Sequence, residues 1–290
     1  MIKLSIVVLS YNTQDLILNC LKSVVSQYEK SLEQKEFEIL VVDNASADDS
    51  ASAILDLKSK ILNLALIQNR ENVGFAKGCN IGAKSAKGEY VLFLNSDTII
   101  EDDGLLRMVE FLDKNPNIAI LGGKLMNDNG SSQKSTGKFY NLFNLFIMLL
   151  GLERLGFLRS SPDKIQKVDW VSGACMMVRK NIFEKLSGFD EKLFMYMEDM
   201  EICFRVKKLG FPTYFYPNLS LKHKSQGSSN RTFAIINIYK GILHFYSKHK
   251  TRFEYLIAKA LLVLKAEILI CIGFLTFNSV LRDRYRKAIS

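Results

Sequence analysis

Five consecutive apolar or aromatic residues, Tyr90-Val91-Leu92-Phe93-Leu94, run directly into Asn95-Ser96-Asp97. A continuous run of strand-forming residues with no polar alternation reads as a strand buried on both faces. A carboxylate at the C-terminal end of such a strand sits where open α/β sheets bind ligands. Asn95 and Asp97 are separated by one small residue, so both can converge on one hard cation that takes oxygen ligands. The same three residues also suit a plain polar turn after a core strand. The rest of the chain decides between the two.

The arrangement recurs upstream. Residues 4–9 read as a first buried strand, broken by Ser10-Tyr11-Asn12-Thr13, after which Leu16, Leu18, Cys20, Leu21, Val24 and Val25 mark a helix. Residues 37–42 form a second strand ending in Asp43-Asn44-Ala45-Ser46, and a helix follows through Ala53, Ile54 and Leu57. Residues 65–67 make a short third strand, residues 70–75 a loop, and residues 76–85 a helix that leads to the central strand. Strand, polar break and helix, repeated three times, predict βαβ units and a parallel sheet. The right-handed crossover rule places the strand ends along one edge. Ser10, Tyr11, Asn12, Asp43, Asn44, Arg70, Asn72, Gly74, Asn95, Ser96 and Asp97 would then share that edge, which reads as a nucleotide site. Asp43 is placed to accept from a base N–H or a ribose hydroxyl, though it also suits a helix cap. Gly74 permits close backbone approach, and Arg70 can contact an anion. No Gly-x-x-x-x-Gly-Lys-Ser/Thr occurs, which excludes a P-loop. No Gly-x-Gly-x-x-Gly follows the first strand, which argues against a dinucleotide redox cofactor.

Charge divides the chain. Residues 1–130 carry 13 basic and 18 acidic side chains, and residues 131–290 carry 26 and 12. A basic second half predicts an anionic partner, with nucleic acid and an anionic membrane surface both allowed. The five cysteines are odd in number and widely spaced, the usage of a reducing compartment and not of a disulfide or zinc framework. Residues 6–9 are too short for a signal-peptide core, so a cytoplasmic protein is expected.

In the second half, residues 118–121 read as a strand and Gly122-Gly123 as a turn. The apolar segment 139–158 is too short and interrupted to span a bilayer; it reads as either a core helix or an interfacial lid. Residues 168–178 read as one strand, carrying Trp170, Gly173 and Ala174. From Asp199 onward Ile202, Cys203, Val206 and Leu209 mark a helix with Glu198 and Asp199 at its N-terminus, where the macrodipole favours ionised carboxylates. A carboxylate there suits a general base, although helix-start acids are common. His223 follows a strand-like Thr213-Tyr-Phe-Tyr216. Residues 233–290 look helical, with an uncharged run at 268–281 followed by Arg282, Arg284, Arg286 and Lys287. That pattern fits a helix lying in the interface of an anionic leaflet, or a helical cap or homodimer contact.

Ser5-Ile-Val-Val-Leu-Ser-Tyr-Asn12, Val41-Val-Asp-Asn-Ala-Ser46, Asn72-Val-Gly-Phe-Ala76 and Leu94-Asn-Ser-Asp97 resemble family 2 inverting glycosyltransferases of the GT-A fold, above all the rhamnosyltransferase-like members. The resemblance covers roughly residues 1–230. It implies a nucleotide-diphosphate-sugar donor (dTDP- or UDP-linked), a divalent cation (Mg²⁺ or Mn²⁺), and single displacement with inversion. The resemblance puts Asp97 in the metal site, with Asn95 standing where the family's Asp-x-Asp motif begins. It makes Asp199 the base and Glu198 its neighbour at the acceptor, and His223 a late metal ligand. It sets Trp170, Gly173 and Ala174 on the acceptor side, and Lys224, Ser228 and Arg231 near the diphosphate. The expected fold is α/β, with a GT-A catalytic domain over residues 1–230, split near residue 100 into nucleotide and acceptor halves. A helical extension over 231–290 follows. The expected function is sugar transfer to a lipid-linked or polymeric glycan in cell-surface polysaccharide synthesis, at the inner face of the plasma membrane. Two rivals stand beside it, a nucleotidyltransferase and a basic nucleic-acid-binding protein. No recognised nucleic-acid-binding module appears, and the positive charge avoids the sheet edge.

Overall fold

The computed structural model describes residues 1–152, 156, 158–224 and 231–289, and the predicted parallel sheet lies at its centre. Strands β1 (Leu4–Ser10), β2 (Phe37–Asp43), β3 (Leu64–Gln68) and β4 (Tyr90–Asn95) are parallel, in the order β3-β2-β1-β4. Helices α1 (Gln14–Glu33), α2 (Ser50–Lys58) and α3 (Phe75–Ser85) connect them. The order reverses between β1 and β4, the switch point at which open sheets leave a crevice. Register aligns Ser10 with Asp43 and Leu9 with Asn95, so the polar strand ends meet at one level.

Alternate strand residues feed two cores. Ile6, Val8, Val41, Leu92 and Leu94 pack with Leu21 and Val24 of α1 and Ile54 of α2. Val7, Val42, Val91 and Phe93 pack on the opposite face with Ala76, Cys79 and Ala83 of α3. All six residues of β4 but Asn95 are buried, as a strand covered on both faces requires.

After β5 (Thr98–Ile100) and α4 (Gly104–Lys114), β6 (Ile120–Met126) extends the sheet. A small antiparallel sheet then holds β7 (Thr136–Gly137), β8 (Arg159–Ser160) and β10 (Trp170–Val171), while α5 (Leu142–Leu149) lies between β7 and β8 in sequence. Strands β9 (Gln166–Val168), β11 (Cys175–Arg179) and β12 (Thr213–His223) complete the large sheet, where β11 runs antiparallel between β4 and β6. Helices α6 (Lys180–Lys185) and α7 (Glu198–Lys208) precede β12, and α8 (Arg231–His249), α9 (Arg252–Leu275) and α10 (Ser279–Ile289) follow it.

Two expectations change. Gly122 and Gly123 lie inside β6 and are not a turn. A Cβ at Gly122 would collide with the Val171 side chain, and one at Gly123 would crowd Cys175 and Leu219, so close packing sets these glycines. The stretch 168–178 is not one strand. Ser172 donates its N–H to the Ser135 carbonyl and Gly173 donates to the Asp199 carboxylate, which takes the backbone out of the sheet between β10 and β11. Among the described residues no helix is long and apolar enough to cross a membrane.

Candidate active site

The first two strand-end loops are laced together. Asn12, with φ +53°, donates its N–H to the Ser46 Oγ and accepts from the Ala47 N–H on its Oδ1. Asp48 accepts from the N–H groups of Gln14 and Ser50, and Ser50 Oγ accepts from Thr13. The N-terminus of α1 is thus capped from the α2 side, by Asp48 and Ser50, while Asp48 also accepts from the first residue of α2. Asp43 is 2% exposed, and its oxygens accept from the Ser46 N–H and hydroxyl. Ser10 is buried, with its hydroxyl paired to that of Thr13. These three predicted donor residues, Ser10, Asn12 and Asp43, shape the loops and do not line the crevice.

The crevice itself is a cavity of about 380 Å³. Leu9, Tyr11, Thr13, Asn44, Asn72, Gly74, Phe75, Asn95, Ser96 and Asp97 line it from the sheet edge, and Phe194, Met195 and Phe233 close the far side. One polar web fixes the lining asparagines. Asn44 Nδ2 donates to the Gly74 carbonyl and to Asn72 Oδ1, Asn69 donates to Asn44 Oδ1, and the Gly74 N–H donates to Asn72 Oδ1. Gly74 has φ +86°, and a Cβ there would overlap the Phe194 carbonyl and ring. The close approach it permits is therefore that of the 194 segment, whose carbonyl accepts the Phe75 N–H at 2.6 Å.

Strand β12 brings His223 to the same edge. Its Nε2 lies 3.3 Å from Asp97 Oδ1 and 3.3 Å from Asn95 Nδ2. On the other side of the ring, Nδ1 lies 2.7 Å from Gln133 Oε1. The Gln133 amide nitrogen donates to the His223 carbonyl and to Asn127 Oδ1, so its oxygen faces the imidazole and can only accept. Nδ1 then carries the proton, and in the neutral ring Nε2 presents a lone pair to the Asp97 oxygen. Two acceptors held face to face, with an amide that can turn its oxygen inward, form a donor set suited to a divalent cation. Gln133 supplies the outer hydrogen bond that ligating histidines usually have. The residues present therefore fit the implied metal. The Asp97 carbonyl also accepts the Lys224 N–H, which ties this loop to the end of β12.

Beside the cavity, Tyr196 and Met197 are consecutive left-handed residues at φ +71° and +73°. Such backbone costs roughly 1–3 kcal/mol per residue and clusters at functional sites. Here it turns the chain so that α7 starts at Glu198 with its acidic N-terminus toward the sheet edge. Asp199 accepts from the Gly173 N–H at 3.2 Å and the Met200 N–H at 2.7 Å. A Cβ at Gly173 would lie 3.6 Å from both Asp199 Cβ and Phe75, so Gly173 neighbours both Asp199 and the cavity-lining Phe75. Burial lifts the Asp199 carboxyl above its ordinary value, and the two N–H bonds and the charge of Arg159 limit the rise. Glu198 is pushed further up, by burial and then by the Asp199 charge. Its Oε2 is buried without a hydrogen-bond partner among the described residues. Of the pair, Glu198 is held further toward its neutral form and Asp199 is the more readily ionised.

The other predicted residues fall as follows. Gly173 touches Asp199, and Ala174 accepts the Asn95 N–H on its carbonyl, so both adjoin the site. Trp170 does not offer a stacking face to the cavity. It is 5% exposed, its indole N–H donates to the Lys138 carbonyl, and Arg159 lies over its ring at 5.5 Å. Its connection to Asp199 is indirect, through that arginine. Arg70 and Arg231 are exposed and absent from the cavity wall. Ser228 lies outside the described residues. Sequence reasoning missed Gln133, Asn69, Phe75, Phe194, Met195 and Phe233. The last four are apolar and carry no chemical signature; Gln133 is 90 positions from its partner.

A profile described as Glycosyl transferase family 2 matches residues 5–187. The poly(ribitol-phosphate) beta-glucosyltransferase of Bacillus spizizenii is 39% identical over 130 residues, which cover 44% of this chain and 20% of that protein. Rhamnosyltransferase WbbL of Escherichia coli is 28% identical over 213 residues, covering 67% of this chain and 80% of that one. Among solved structures, the mannosyltransferase PcManGT of Pyrobaculum calidifontis, in complex with GDP-Man and Mn²⁺, aligns with a TM-score of 0.59 at 16% identity, over 99% of this chain and 85% of that one. That likeness establishes the GT-A-type fold. The chain spans only a fifth of the Bacillus protein's length.

Proposed function

The chain belongs to glycosyl transferase family 2 and is a glycosyltransferase, and on that premise we propose that it is a metal-dependent, inverting enzyme with a nucleotide-diphosphate-sugar donor. The observation that carries this reading is the approach of His223 to Asn95 and Asp97, which line the cavity, with Gly173 beside both Asp199 and the cavity-lining Phe75. Tyr11, Asn44 and Asn72 are the lining groups available to the nucleoside, and Gly74 and Ser96 flank the diphosphate. A divalent cation held by Asp97, His223 and Asn95 would supply neutralising charge to the diphosphate leaving group.

The protein's own groups account for the remaining chemistry. Asp199 takes the proton of an acceptor hydroxyl as that oxygen attacks the anomeric carbon, and the C–O bond to the diphosphate breaks on the opposite face. The configuration inverts, and no covalent nucleophile is required. Glu198, protonated, offers a hydrogen bond to the acceptor. Phe75, Phe194 and Phe233 exclude water, which protects the donor from hydrolysis. Lys224 and Arg231, exposed and outside the cavity lining, are proposed to reach the diphosphate from its margin.

The proposed division is a catalytic domain over residues 1–230 and a helical extension beyond. Rhamnose from a dTDP- or UDP-linked donor is the proposed sugar, supported by the likeness to a rhamnosyltransferase. The acceptor is a lipid-linked or polymeric glycan in cell-surface synthesis, at the inner face of the plasma membrane. Family membership sets aside the nucleotidyltransferase and nucleic-acid readings.

The test is donor hydrolysis and ligand-induced thermal shift over a panel of nucleotide sugars, with Mn²⁺, Mg²⁺ or chelator. One donor should respond with metal, and Asp97→Ala should abolish the response. A silent panel under every condition overturns the reading.

A further inference from the structure

Helix α9 is apolar on more sides than its neighbours cover. Ala258, Leu262, Ala266, Ile270 and Gly273 form its buried stripe. At 100° per residue, Phe253, Ala260, Leu264, Ile268, Cys271 and Leu275 fall within an arc of about 80° on the opposite side. All six are exposed, Phe253 at 72% and Leu275 at 81%. Helix α5 packs beside α9, where the Lys265 ammonium reaches the Met148 carbonyl, and it adds exposed Phe143, Phe146 and Leu150. Monomeric proteins rarely leave a contiguous apolar face of this length in water.

The rim of this face is cationic. Arg282 and Arg286 of α10 lie over the Phe274 ring at 4.7 and 5.5 Å, and Lys250 and Arg252 stand at the other end of α9. From Lys222 onward the chain has 13 basic residues against 3 acidic ones. Of those three, Glu254 is engaged in the capping box with Thr251, and Glu267 and Asp283 are the exposed acids of α9 and α10, outnumbered by the basic residues around them. A second copy bound face to face would set this rim against itself across a twofold axis.

We propose that the exposed stripe of α9, with the outer face of α5 beside it, docks in the plane of an anionic bilayer, the α10 arginines engaging lipid phosphates at its edge. The helix lies along the surface and does not cross it. Of the two readings open for the 139–158 segment, this makes α5 interfacial. The proposal supplies the surface for the membrane placement in the reading above and does not depend on the transfer chemistry, which donor hydrolysis reports separately.

The test is flotation of the full chain with phosphatidylcholine vesicles containing 30% phosphatidylglycerol, against pure phosphatidylcholine vesicles. Binding to the anionic vesicles should exceed binding to the neutral ones at least tenfold and fall in 0.5 M salt. Leu264→Glu/Ile268→Glu should reduce it about tenfold, and Arg282→Glu/Arg286→Glu should reduce it by a similar factor, with donor hydrolysis and the thermal midpoint retained. As a second readout needing no substitution, Cys271 is the exposed cysteine among four buried ones. An environment-sensitive fluorophore attached there should shift to the blue with anionic vesicles alone. Equal binding to both vesicle types, or no fluorophore shift, overturns the proposal. So does light scattering that shows a dimer made monomeric by Leu264→Glu/Ile268→Glu, which would assign the face to a second copy.

Discussion

In the proposed metal site, Gln133 decides which nitrogen of His223 keeps the proton. Gln133→Leu removes that partner and lets both tautomers and several ring orientations compete. Losing such an outer-shell bond costs roughly 10- to 100-fold in metal affinity. The Mn²⁺ concentration giving half-maximal donor hydrolysis should rise by that factor, with the rate at saturating Mn²⁺ nearly kept; an unchanged metal titration would remove Gln133 from this role. The two acids at the start of α7 separate in the same way. Asp199→Asn should lower turnover by roughly 10²–10⁴-fold, the usual contribution of a general base, while Glu198→Gln replaces a neutral acid by a neutral amide and should keep most of it. Glu198 also leaves a signature in stability. Its native carboxyl titrates above the unfolded value of 4.5, so the native state binds the extra proton and loses stability as pH rises past 4.5. Glu198→Gln should therefore raise the thermal midpoint at pH 8 and leave it unchanged at pH 4. A midpoint shift equal at both pH values would show that Glu198 is not held neutral by the fold.

At the scale of elements, the strands and their polar ends were legible because each apolar run stops abruptly at a hydrogen-bonding residue. That is a local property, and β1, β2 and β4 follow it to the residue at their C-terminal ends. What the loops do with those residues is not local. Asn12 and Asp43 read as ligand-binding groups in one dimension, and in three Asn12 ties two loops together while Asp43 holds its own loop through Ser46. Gly122 and Gly123 look like a turn, but the demand for them comes from Val171, Cys175 and Leu219, about 50 or more positions away. Trp170 suits a sugar platform or a core position equally well in one dimension, and the burial of its ring with its N–H on the Lys138 carbonyl gives it the core position. Gly74 belongs to the same class, since its partner is Phe194. Gly74→Ala would force alanine into an extended positive-φ conformation (φ +86°, ψ 175°) that only glycine readily adopts, a strain of roughly 1–3 kcal/mol, and add a clash of comparable size with the Phe194 backbone. Urea denaturation should show a loss of about 2–4 kcal/mol, and because the displaced segment leads into Glu198 and Asp199, turnover should fall as well. Retained stability would mean that the 194 segment moves freely, and that the geometry ahead of α7 is not set by this contact.

Across the whole molecule, one buried network joins the catalytic sheet to its helical extension. The Glu201 side chain is 0% exposed, and it accepts from Arg205 within α7 and from Lys248 and His249 at the end of α8. Arg205 also donates to the Leu186 and Gly188 carbonyls, and Lys248 and His244 hold Asp190. Burial alone would raise the Glu201 carboxyl, but hydrogen bonds from His249 and Arg205 outweigh it and bring it down to about 2. Burial likewise opposes ionisation of Asp190, and the Lys248 and His244 bonds hold it well below the carboxylate range. Both native values lie below the unfolded ones, so the stabilisation is complete above about pH 4.5 and is lost as pH falls toward 2. For Glu201 the drop from 4.5 to about 2 corresponds to roughly 3 kcal/mol. Glu201→Gln keeps the shape but leaves the Arg205 and Lys248 cations and His249 facing an amide, a break that costs about 3–5 kcal/mol in buried pairs. The urea midpoint of the variant should therefore lie well below wild type at pH 7, and the two should converge near pH 2.5, where the wild-type carboxylate is itself being protonated. A constant gap between them at all pH values would show that Glu201 acts through packing alone. Convergence would mean that the contact between the sheet and the extension is held mainly by charge, so that acid loosens α8 from α7 before the parallel sheet unfolds.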